Sequence, residues 1–598
     1  MALVLEELIR AYAADGAAGG IPDTVLAMMQ ARLDRLPAEA RRVLRAASVF
    51  GQVFCLPAVQ HVLGPSQSPV ELARQLDYLV ECELCERHTV SRYAGSAEYG
   101  FCNQFIREAV YSLLTEEDRV RGHRLAGQYQ AQAGDAEPRM IFDHLKRGGE
   151  YEQAVHYGLL AGDSARRLCS QEEARLIYAE VVELTEELSD AAHHRMLRAD
   201  ALLRFTRCTL SVQAPEATAA LLDQVEKLLP ADTSAIPHEP AAQTDGERLK
   251  RLRAWLHCLR AQVALFQSDS ASVVHHCRIT LTLVGPDSGM STPELVAFPA
   301  VALGAALLGQ GYCTQAAVLF RQALAALENL NDLSEHIRAQ LCLAASLIAQ
   351  GETQAGWSIF REAELRAQET NQPSVLGTVY HLCAVMHLWM GDWSAALGAC
   401  NLAIRKATKS GEQVTLVQCT LTSILAAVQL GDLAIARKSI QAAAMLTRRL
   451  GERVLLAQWL TIAQAELAIL DGHIEEGIAL ARLASEQASR MDQPHCVGVA
   501  ECVLARALAA KQPADSAEID AHMHRSVTTL DAAGLALEVA RTRLHWAILL
   551  KRRQPEEPQR ATELYNSALT RFRLSDCTQA IAEAERLWSA SPAQPAAL

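Results

Sequence analysis

Five glycines recur at a nearly constant spacing through the middle of the chain, and they constrain its fold more than any other feature. The spacings between them are 40, 40, 40 and 41 residues, and the glycines are Gly311, Gly351, Gly391, Gly431 and Gly472. Small residues follow each glycine at the same offsets, five and twelve positions later. A fixed period of this length indicates stacked structural repeats, in which each unit buries its apolar face against its neighbours. The pattern therefore favours a binding surface over a catalytic centre.

We interpret each glycine as the turn between two antiparallel helices. Small residues also stand seven positions before four of the five glycines, as at Gly304 and Ala344, and would let paired helices approach closely. The succession of small residue, glycine, alanine, aromatic residue and alanine resembles the tetratricopeptide repeat. The departure is length, since the repeat here has 40 residues against about 34 in that family. Longer helices or longer turns must absorb the difference. Weaker copies of the pattern at Gly149 and at Ala561 extend the predicted array in both directions.

Composition agrees with a large helical protein and disfavours several function classes. At 598 residues the chain is too long for one core. Its net charge of −13 disfavours general nucleic-acid binding. The sixteen cysteines are scattered through apolar stretches, which is typical of buried thiols in a reducing compartment. The first residues lack the basic start of a signal peptide, and the apolar run from Leu295 to Leu308 is too short to span a bilayer. We expect a cytoplasmic protein with no membrane association and no cofactor.

The segment before the repeats has a different organisation. Helices are expected from Pro22, after Pro37, from Leu56 and within residues 69–84. The following stretch alternates enough to form a two-stranded wing around Ala94–Ser96. A further helix follows in residues 104–114. The sequence therefore predicts a winged-helix-like domain with a small β wing.

Residues in this segment resemble those that follow the nucleotide-binding core of STAND-type signalling ATPases. The resemblance rests on Ala31–Pro37, Ala46–Phe54 and Phe101–Leu113, and on His123 and His144. In that family an AAA-like ATPase precedes a winged-helix domain and tetratricopeptide-like repeats. Relatives include bacterial proteins with an adenylate cyclase or protein kinase domain, and maltose-regulator-like transcription activators. The resemblance implies a signalling protein, with an ATPase module as one partner.

Two departures from that family bear on function. No phosphate-binding loop of the form G-x-x-x-x-G-K-[ST] occurs, and no glycine is followed by lysine. By resemblance, the chain begins where the lid of the ATPase ends, which implies a fragment, a split gene product or a degenerate paralogue. In addition, Asn103 occupies the position of the histidine that the family associates with nucleotide sensing. Asparagine can donate a hydrogen bond but carries no charge.

Other candidate sites are weaker. Cys82, Cys85 and His88 have metal-like spacing, and Cys102 could complete a zinc site. The alternative is plain core packing, which we favour, so no metal is expected. Arginines give the segment local positive charge, diluted by acidic neighbours, and we regard nucleic-acid binding as unlikely (Arg87, Arg92, Arg107, Arg119, Arg121 and Arg124).

Four tryptophans within the repeats could line a ligand groove, although such residues more often belong to helix–helix cores (Trp357, Trp389, Trp393 and Trp459). No motif of a hydrolase, metalloprotease, kinase or dinucleotide-binding enzyme occurs. We therefore expect a protein that is not an enzyme.

Together these observations predict an all-α protein with a small β wing. The expected domains are remnant lid helices (1–36), a winged-helix-like domain with linker helices (37–146), a tetratricopeptide-like α-solenoid superhelix (147–590, most regular over 297–490) and a disordered tail (591–598). Within the solenoid, Leu229–Glu247 is predicted to be an exposed loop, because it contains three prolines.

The expected function is a non-catalytic regulatory arm that binds a protein partner or small inducer on the concave face of its repeats. Two alternatives stay open. One is the C-terminal part of an ATP-dependent cyclase or kinase, and the other is a winged-helix transcription regulator.

Overall fold

The computed structural model describes residues 33–91, 96–134, 136–230, 240–267, 269–284, 293–328, 330, 332–449, 457–511, 515–553 and 557–590. The chain divides into two compact units, Met1–Asp163 with Ile177–Ser189, and Ser164–Leu176 with Asp190–Leu598. The predictions for residues 1–32 and for the tail 591–598 lie outside the described residues.

The first unit combines helices with a small antiparallel sheet. In chain order its elements are α1 (Ala38–Ser48), β1 (Val53–Cys55), α2 (Leu56–Leu63), α3 (Pro69–Glu81), β2 (Cys85–Arg87), β3 (Glu98–Phe101), α4 (Gln104–Ser112), α5 (Glu116–Ala133) and α6 (Pro138–Arg147). Helices α7 (Tyr151–Arg167) and α8 (Gln171–Leu184) contribute to both units.

The sheet of the first unit has the strand order β1-β3-β2. Strands β2 and β3 pair antiparallel with Cys85 opposite Phe101, so the predicted hairpin is confirmed. Its tip, residues 92–95, lies outside the described residues. Strand β1, which the sequence analysis missed, pairs with β3 through Phe54 opposite Tyr99. Phe54, Tyr99 and Phe101 are among the largest fully buried side chains, which places the core of this unit at the sheet.

The second unit is an all-α solenoid of tetratricopeptide-like helix pairs. Its first helices, which we call the inner helices, are α9 (Ala192–Thr209), α11 (Pro240–Phe266), α13 (Pro293–Gln310), α15 (Leu333–Ala349), α17 (Pro373–Met390), α19 (Gln413–Leu430), α21 (Ala457–Leu470), α23 (Pro494–Ala510) and α25 (Ala536–Arg553). Their outer partners are α10 (Pro215–Leu228), α12 (Ser270–Val284), α14 (Cys313–Leu327), α16 (Thr353–Thr370), α18 (Trp393–Ser410), α20 (Leu433–Arg449), α22 (Ile474–Arg490), α24 (Ser516–Ala532) and α26 (Pro558–Leu574), followed by α27 (Thr578–Ser589).

The five periodic glycines lie in the turns inside the helix pairs, as predicted, and all have positive φ, between 73° and 108°. Glycine adopts this backbone region without the steric cost that a Cβ atom brings. The 40-residue period arises from longer helices, because α17, α18 and α19 have 18 residues each and are joined by two-residue turns. Of the outlying copies, the one at Gly149 lies in the first compact unit and the one at Ala561 lies in the solenoid. Gly149 has φ 74° in the turn before α7, and Ala561 is buried in α26.

Small residues at the predicted offsets mark the closest contacts inside each helix pair. A Cβ atom on Gly356 would lie 2.9 Å from the carbonyl oxygen of Ala344, seven residues before its turn glycine. A Cβ atom on Gly304 would lie 2.8 Å from the ring of Phe320. The absent side chains let the two helix backbones approach closely, which explains the small residues before and after each periodic glycine.

The solenoid turns tightly enough that helices four or five pairs apart touch. Inner helix α13 packs on α23, and α15 and α17 pack on α25. Three of the five periodic glycines lie at these contacts. A Cβ atom on Gly311 would lie 2.6 Å from Cβ of His495. Gly351 faces Ser575, and Gly391 faces Ala580. Thr353 Oγ1 donates to the Ser575 carbonyl at 2.8 Å. We call this set of contacts the closure of the superhelix.

The prediction of a loop over Leu229–Glu247 was wrong in its second half. Helix α11 begins at Pro240 and continues through Glu247. Proline is compatible with the first turn of a helix, where its missing N–H has no partner to lose, so Pro240 starts a helix rather than ending one. Residues 231–239 lie outside the described residues.

Candidate functional site: a cavity along the inner helices

A cavity of about 920 Å³ lies within the second unit and is lined by all nine inner helices. Its volume is near the upper end of the range of about 300–1,000 Å³ that is typical of ligand sites. It exists because the inner helices present one face to the interior of the superhelix, while the closure brings α23 and α25 opposite α13, α15 and α17. The predicted concave face is therefore the wall of this cavity.

Most of the cavity wall is apolar. The aromatic lining residues are Phe266, Phe298, Trp389, Trp393 and Trp459. Trp389 and Trp393 are also buried, so the same rings serve the core and the cavity. Outside the lining is Trp357, which packs on Phe360 and donates from Nε1 to Met390 Sδ at 3.1 Å. Three of the four predicted tryptophans thus line the cavity, and the fourth belongs to the core.

Arginine side chains at the cavity wall are matched by carboxylates. Their closest N–O distances lie between 2.5 and 3.2 Å, in the pairs Arg166–Asp332, Arg175–Glu172, Arg207–Asp332, Arg338–Glu335, Arg506–Glu466 and Arg541–Glu538. Arg506 and Glu466 are both buried, and Gln429 Nε2 also donates to Glu466, at 2.9 Å. Because buried charges are costly unless paired and hydrogen-bonded, these pairs hold fixed polar features in an apolar wall.

Glu412 is the exception among the lining carboxylates, because it has no cationic partner within the described part of the chain. It directly precedes α19 and accepts hydrogen bonds from Ser211 Oγ at 3.3 Å and Thr415 Oγ1 at 3.0 Å. Burial raises the pKa of Glu412 to about 6, although the two hydroxyl donors oppose this shift. The side chain is therefore mostly ionised at neutral pH and is uncompensated.

Several buried polar atoms at the cavity wall have no hydrogen-bond partner. They are Gln262 Nε2, His381 Nε2, His495 Nε2, Arg506 Nε and His545 Nδ1, and each has less than 1 Å² of accessible surface. The exposed fractions of Gln262, His381 and His495 are 4%, 8% and 4%. Burial lowers the pKa of His381 and His495 to about 4, so their imidazoles are neutral at pH 7. Each unsatisfied buried polar group costs about 1–3 kcal/mol, and these atoms lie behind the accessible surface of the cavity.

The sequence analysis did not single out Glu412, Gln262, His381 or His495. A usable signal was present for His381 and His495, because each is a polar residue within a mostly apolar inner helix, whereas the helix of Gln262 contains many polar residues. Glu412 offered no such signal, since an acidic residue just after a turn glycine is ordinarily solvent-exposed.

In the first unit, Asn103 has a structural role. Its Oδ1 accepts a hydrogen bond from the backbone N–H of Ile106 at 2.9 Å and caps α4. An asparagine at this position satisfies one of the otherwise unpaired N–H groups at a helix start. Whether this residue also takes part in nucleotide sensing remains a prediction from the family resemblance.

The candidate metal ligands of the first unit have other surroundings. Cys85 is buried, and desolvation raises the pKa of its thiol to about 12, with a smaller contribution from Cys102. His88 Nδ1 lies 2.7 Å from Glu98 Oε1. Among the residues that the structure describes, the donor atoms of Cys82, Cys85 and His88 do not all lie within 4.8 Å of one another. This geometry favours the packing interpretation.

His123 and His144, which were noted only for the family resemblance, form a buried chain with Tyr111. The Tyr111 hydroxyl lies 2.7 Å from His123 Nε2, and the two Nδ1 atoms of the histidines are 2.9 Å apart. Burial lowers the pKa of His123 to about 3 and that of His144 to about 4, with further lowering from nearby arginines. Both rings are neutral at pH 7 and can share one proton between their Nδ1 atoms.

Arginines of the first unit are mostly engaged within the fold. The guanidinium groups of Arg107 and Arg119 lie 5.5 and 5.0 Å from the Tyr111 ring centre. Arg124 Nε is 3.0 Å from Glu150. Arg92 lies outside the described residues. These contacts reduce the charge available for a phosphate backbone.

Two helices among the described residues, α13 and α19, are long and apolar enough to cross a membrane by length and composition. Half of the relevant window in α13 and 67% of that in α19 are buried. Both are inner helices that line the cavity, so their apolar character has a structural explanation within the solenoid.

No protein-family model matches the chain. An uncharacterised protein of Rhizobium meliloti (strain 1021) is 28% identical over 168 residues. The match covers 27% of this chain and 16% of that protein, so the chain spans only a small part of this relative's length.

Several solved structures are similar to this chain at low sequence identity. A Rap protein in complex with competence and sporulation factor has 12% identity and a TM-score of 0.42, covering 72% of this chain and 99% of its own. A STAND protein with a tetratricopeptide repeat sensor from Pyrococcus horikoshii has 12% identity and a TM-score of 0.30, and the match covers 86% of this chain and 66% of that one. The apo form of the quorum sensor NprR from B. thuringiensis has 13% identity and a TM-score of 0.33, and the match covers 70% of this chain and 99% of that one.

Proposed function

We propose that the protein is a non-catalytic regulatory receptor, in which the cavity of the solenoid binds a short protein segment or a small inducer. The observation that carries the proposal is the cavity itself, about 920 Å³ in volume and apolar in most of its wall. The paired arginines and carboxylates of the wall support it, because they offer fixed polar groups to a bound molecule.

Ligand binding would act through the closure of the superhelix. Arg541 lines the cavity and donates from Nη2 to the carbonyl of Trp389 at 2.9 Å. Its guanidinium also lies 4.8 Å from the ring centre of Trp393. A ligand that contacts α17 and α25 together would stabilise the closed turn relative to a more open one, and a ligand shifts such an equilibrium by its difference in affinity for the two states.

The first unit would be the docking module, a winged-helix-like domain that contacts a STAND-type ATPase module in the cytoplasm. The β2–β3 hairpin and the capped helix α4 support this proposal, together with the family resemblance. Phe105, on α4, is 56% exposed and offers an apolar contact point. The missing phosphate-binding loop is the reason for proposing that the ATPase activity resides elsewhere.

Cavity binding is tested by titrating the full chain with a library of short synthetic peptides and following tryptophan fluorescence, since three tryptophans line the cavity. Val499 lines the wall, and Val499→Trp would fill part of the volume. Val318→Trp is the matched control, because Val318 is 49% exposed on the outer helix α14. We expect saturable binding that Val499→Trp weakens at least tenfold and that Val318→Trp leaves unchanged. Equal effects of the two variants would exclude the cavity as the binding site.

Docking is tested separately by pull-down with purified STAND-type ATPase modules, comparing the wild type with Phe105→Ala. Val70→Ala is the control, because Val70 is 65% exposed on the neighbouring helix α3. Retention that is lost only in the Phe105 variant supports docking through α4. No retention of any module would remove the docking half of the proposal.

A further inference from the structure

The charges of the cavity specify the kind of ligand it would take. Arginines at the wall have carboxylate partners, as described above, whereas Glu412 has hydroxyl partners only. The nearest lining cation along the chain is Lys409, an exposed residue at the end of α18 whose ammonium does not lie within 4.0 Å of Glu412. The cavity thus contains one carboxylate that lacks a counter-ion.

Glu412 has unused acceptor positions for such a counter-ion. Its Oε2 faces Gly377 of α17, where a Cβ atom would lie 3.9 Å from Oε2, 3.6 Å from the backbone nitrogen of Ala407 and 3.8 Å from Cβ of Lys406. An ionised carboxylate has about four acceptor positions, and Ser211 and Thr415 use two of them. A compact ammonium group with three donors can use the remaining positions.

Beside Glu412 the lining of α17 is mostly apolar. Val375, Leu382, Val385 and Trp389 recur on it at helical spacing, with Thr378 between the first two, and all line the cavity. At 1.5 Å per residue, the strip from Val375 to Trp389 extends about 21 Å. Trp389 and Trp393 contribute aromatic surface to the same cavity. A ligand with a charged end at Glu412 would therefore lay an apolar body along this strip.

We propose that the cavity binds a molecule with a primary ammonium group on an apolar body, and that Glu412 accepts this ammonium group. The inference deepens the proposed function and depends on it. A second observation supports it independently of Glu412, since most of the cavity wall is apolar and Trp389, Trp393 and Trp459 contribute aromatic surface to it. The ammonium could belong to the amino terminus of an apolar peptide or to a small organic amine.

The test uses decylamine, 1-decanol and decanoate, which share one apolar chain and differ in the head group, each below its micelle-forming concentration. Binding to the full chain is measured by calorimetry and by tryptophan fluorescence. We expect decylamine to bind about ten- to a hundredfold more tightly than 1-decanol, as for one charge-assisted hydrogen-bonding contact, and decanoate to bind more weakly than either. In Glu412→Gln the preference for the amine should fall to near unity.

The control is Glu369→Gln, which removes an exposed carboxylate on the outer helix α16 that does not line the cavity. This variant should keep the wild-type preference for decylamine. A second arm compares a neutral apolar hexapeptide amide with a free and an acetylated amino terminus. If acetylation abolishes binding to the wild type but makes no difference in Glu412→Gln, the ammonium group is that of a peptide. If the wild type prefers decylamine to 1-decanol but does not distinguish the two peptides, the ammonium group is that of a small amine.

The outcomes separate the two levels of the proposal. Binding without a preference for the amine in the wild type, or a preference that persists in Glu412→Gln, overturns the role of Glu412 and leaves cavity binding intact. Failure of every probe to bind the wild type overturns the proposed function and this inference together. Since the amine-to-alcohol ratio is measured first in the wild type, the test does not depend on the folding of a variant.

Discussion

The turn glycines allow the closure of the superhelix to be tested apart from backbone strain. Gly311 and Gly431 both have positive φ, 108° and 73°, and both stand in the turn of a helix pair. Alanine at either position incurs the cost of a positive φ, about 1–2 kcal/mol. Only at Gly311 does the new Cβ atom meet a helix five pairs further on, 2.6 Å from Cβ and 3.1 Å from the backbone nitrogen of His495. Around Gly431 there is nothing within 4 Å.

The expected magnitudes follow from this difference. Gly431→Ala should destabilise by about 1–2 kcal/mol, from strain alone. Gly311→Ala adds overpacking against a rigid partner, which costs about 1–3 kcal/mol, so its total should reach about 2–5 kcal/mol. Gly391→Ala should fall between them, because its Cβ atom would lie 3.3 Å from Cβ of Ala580.

Urea unfolding followed by far-UV circular dichroism measures the three variants, and tryptophan fluorescence follows the cavity in the same samples. The decisive comparison is Gly311→Ala with Gly431→Ala, since both share the backbone cost. Equal losses of stability in these two variants would refute the argument that the contact between Gly311 and His495 holds the superhelix closed.

Three further predictions concern local interactions. Asn103→Ala should lower the free energy of unfolding by about 1 kcal/mol through loss of the α4 cap, and Asn103→Asp should restore most of it; thermal unfolding of both measures the effect. Because His123 and His144 have lowered pKa values in the fold, the unfolded chain binds more protons below about pH 6.5. Stability should therefore fall as the pH drops from there towards 4, by up to about 1.4 kcal/mol per pH unit for each histidine, and a flat profile in denaturant titrations would contradict this. Arg506→Met should destabilise by about 3–5 kcal/mol because Glu466 is left buried and unpaired, and the double variant with Glu466→Leu should recover most of the loss, as a double-mutant cycle would measure.

The repeat architecture could be predicted because it is local and periodic. Gly356 and Ala344 are close in sequence and meet inside one helix pair, so their spacing already reports the contact. The short strand β1 was missed because its partner, β3, lies far along the chain and three residues carry little periodicity. The start of α11 was missed because a proline can either end a helix or occupy its first turn, and the sequence around Pro240 does not distinguish these two cases.

The sequence predicted that the candidate site is a concave binding face, but it identified few of the residues that line it. A concave binding face follows from stacked helix pairs, and three of the four candidate tryptophans line the cavity. Glu412 could not be found, because its importance lies in the absence of a cation nearby, which depends on where distant helices place their arginines. His381 and His495 could have been marked as polar residues in mostly apolar helices, but the sequence does not say whether their ring nitrogens find partners.

The sequence by itself determined that the chain repeats, where each pair of helices turns, and which small residues bring the paired helices together. These are contacts between residues within about one repeat, and the identity of a few small residues is sufficient to specify them. The tertiary structure alone decided that the solenoid closes on itself, that Gly311 meets His495, and that a cavity with one uncompensated carboxylate results. Small rotations between successive pairs add up over five repeats, and this accumulated geometry is not written in any single one of them.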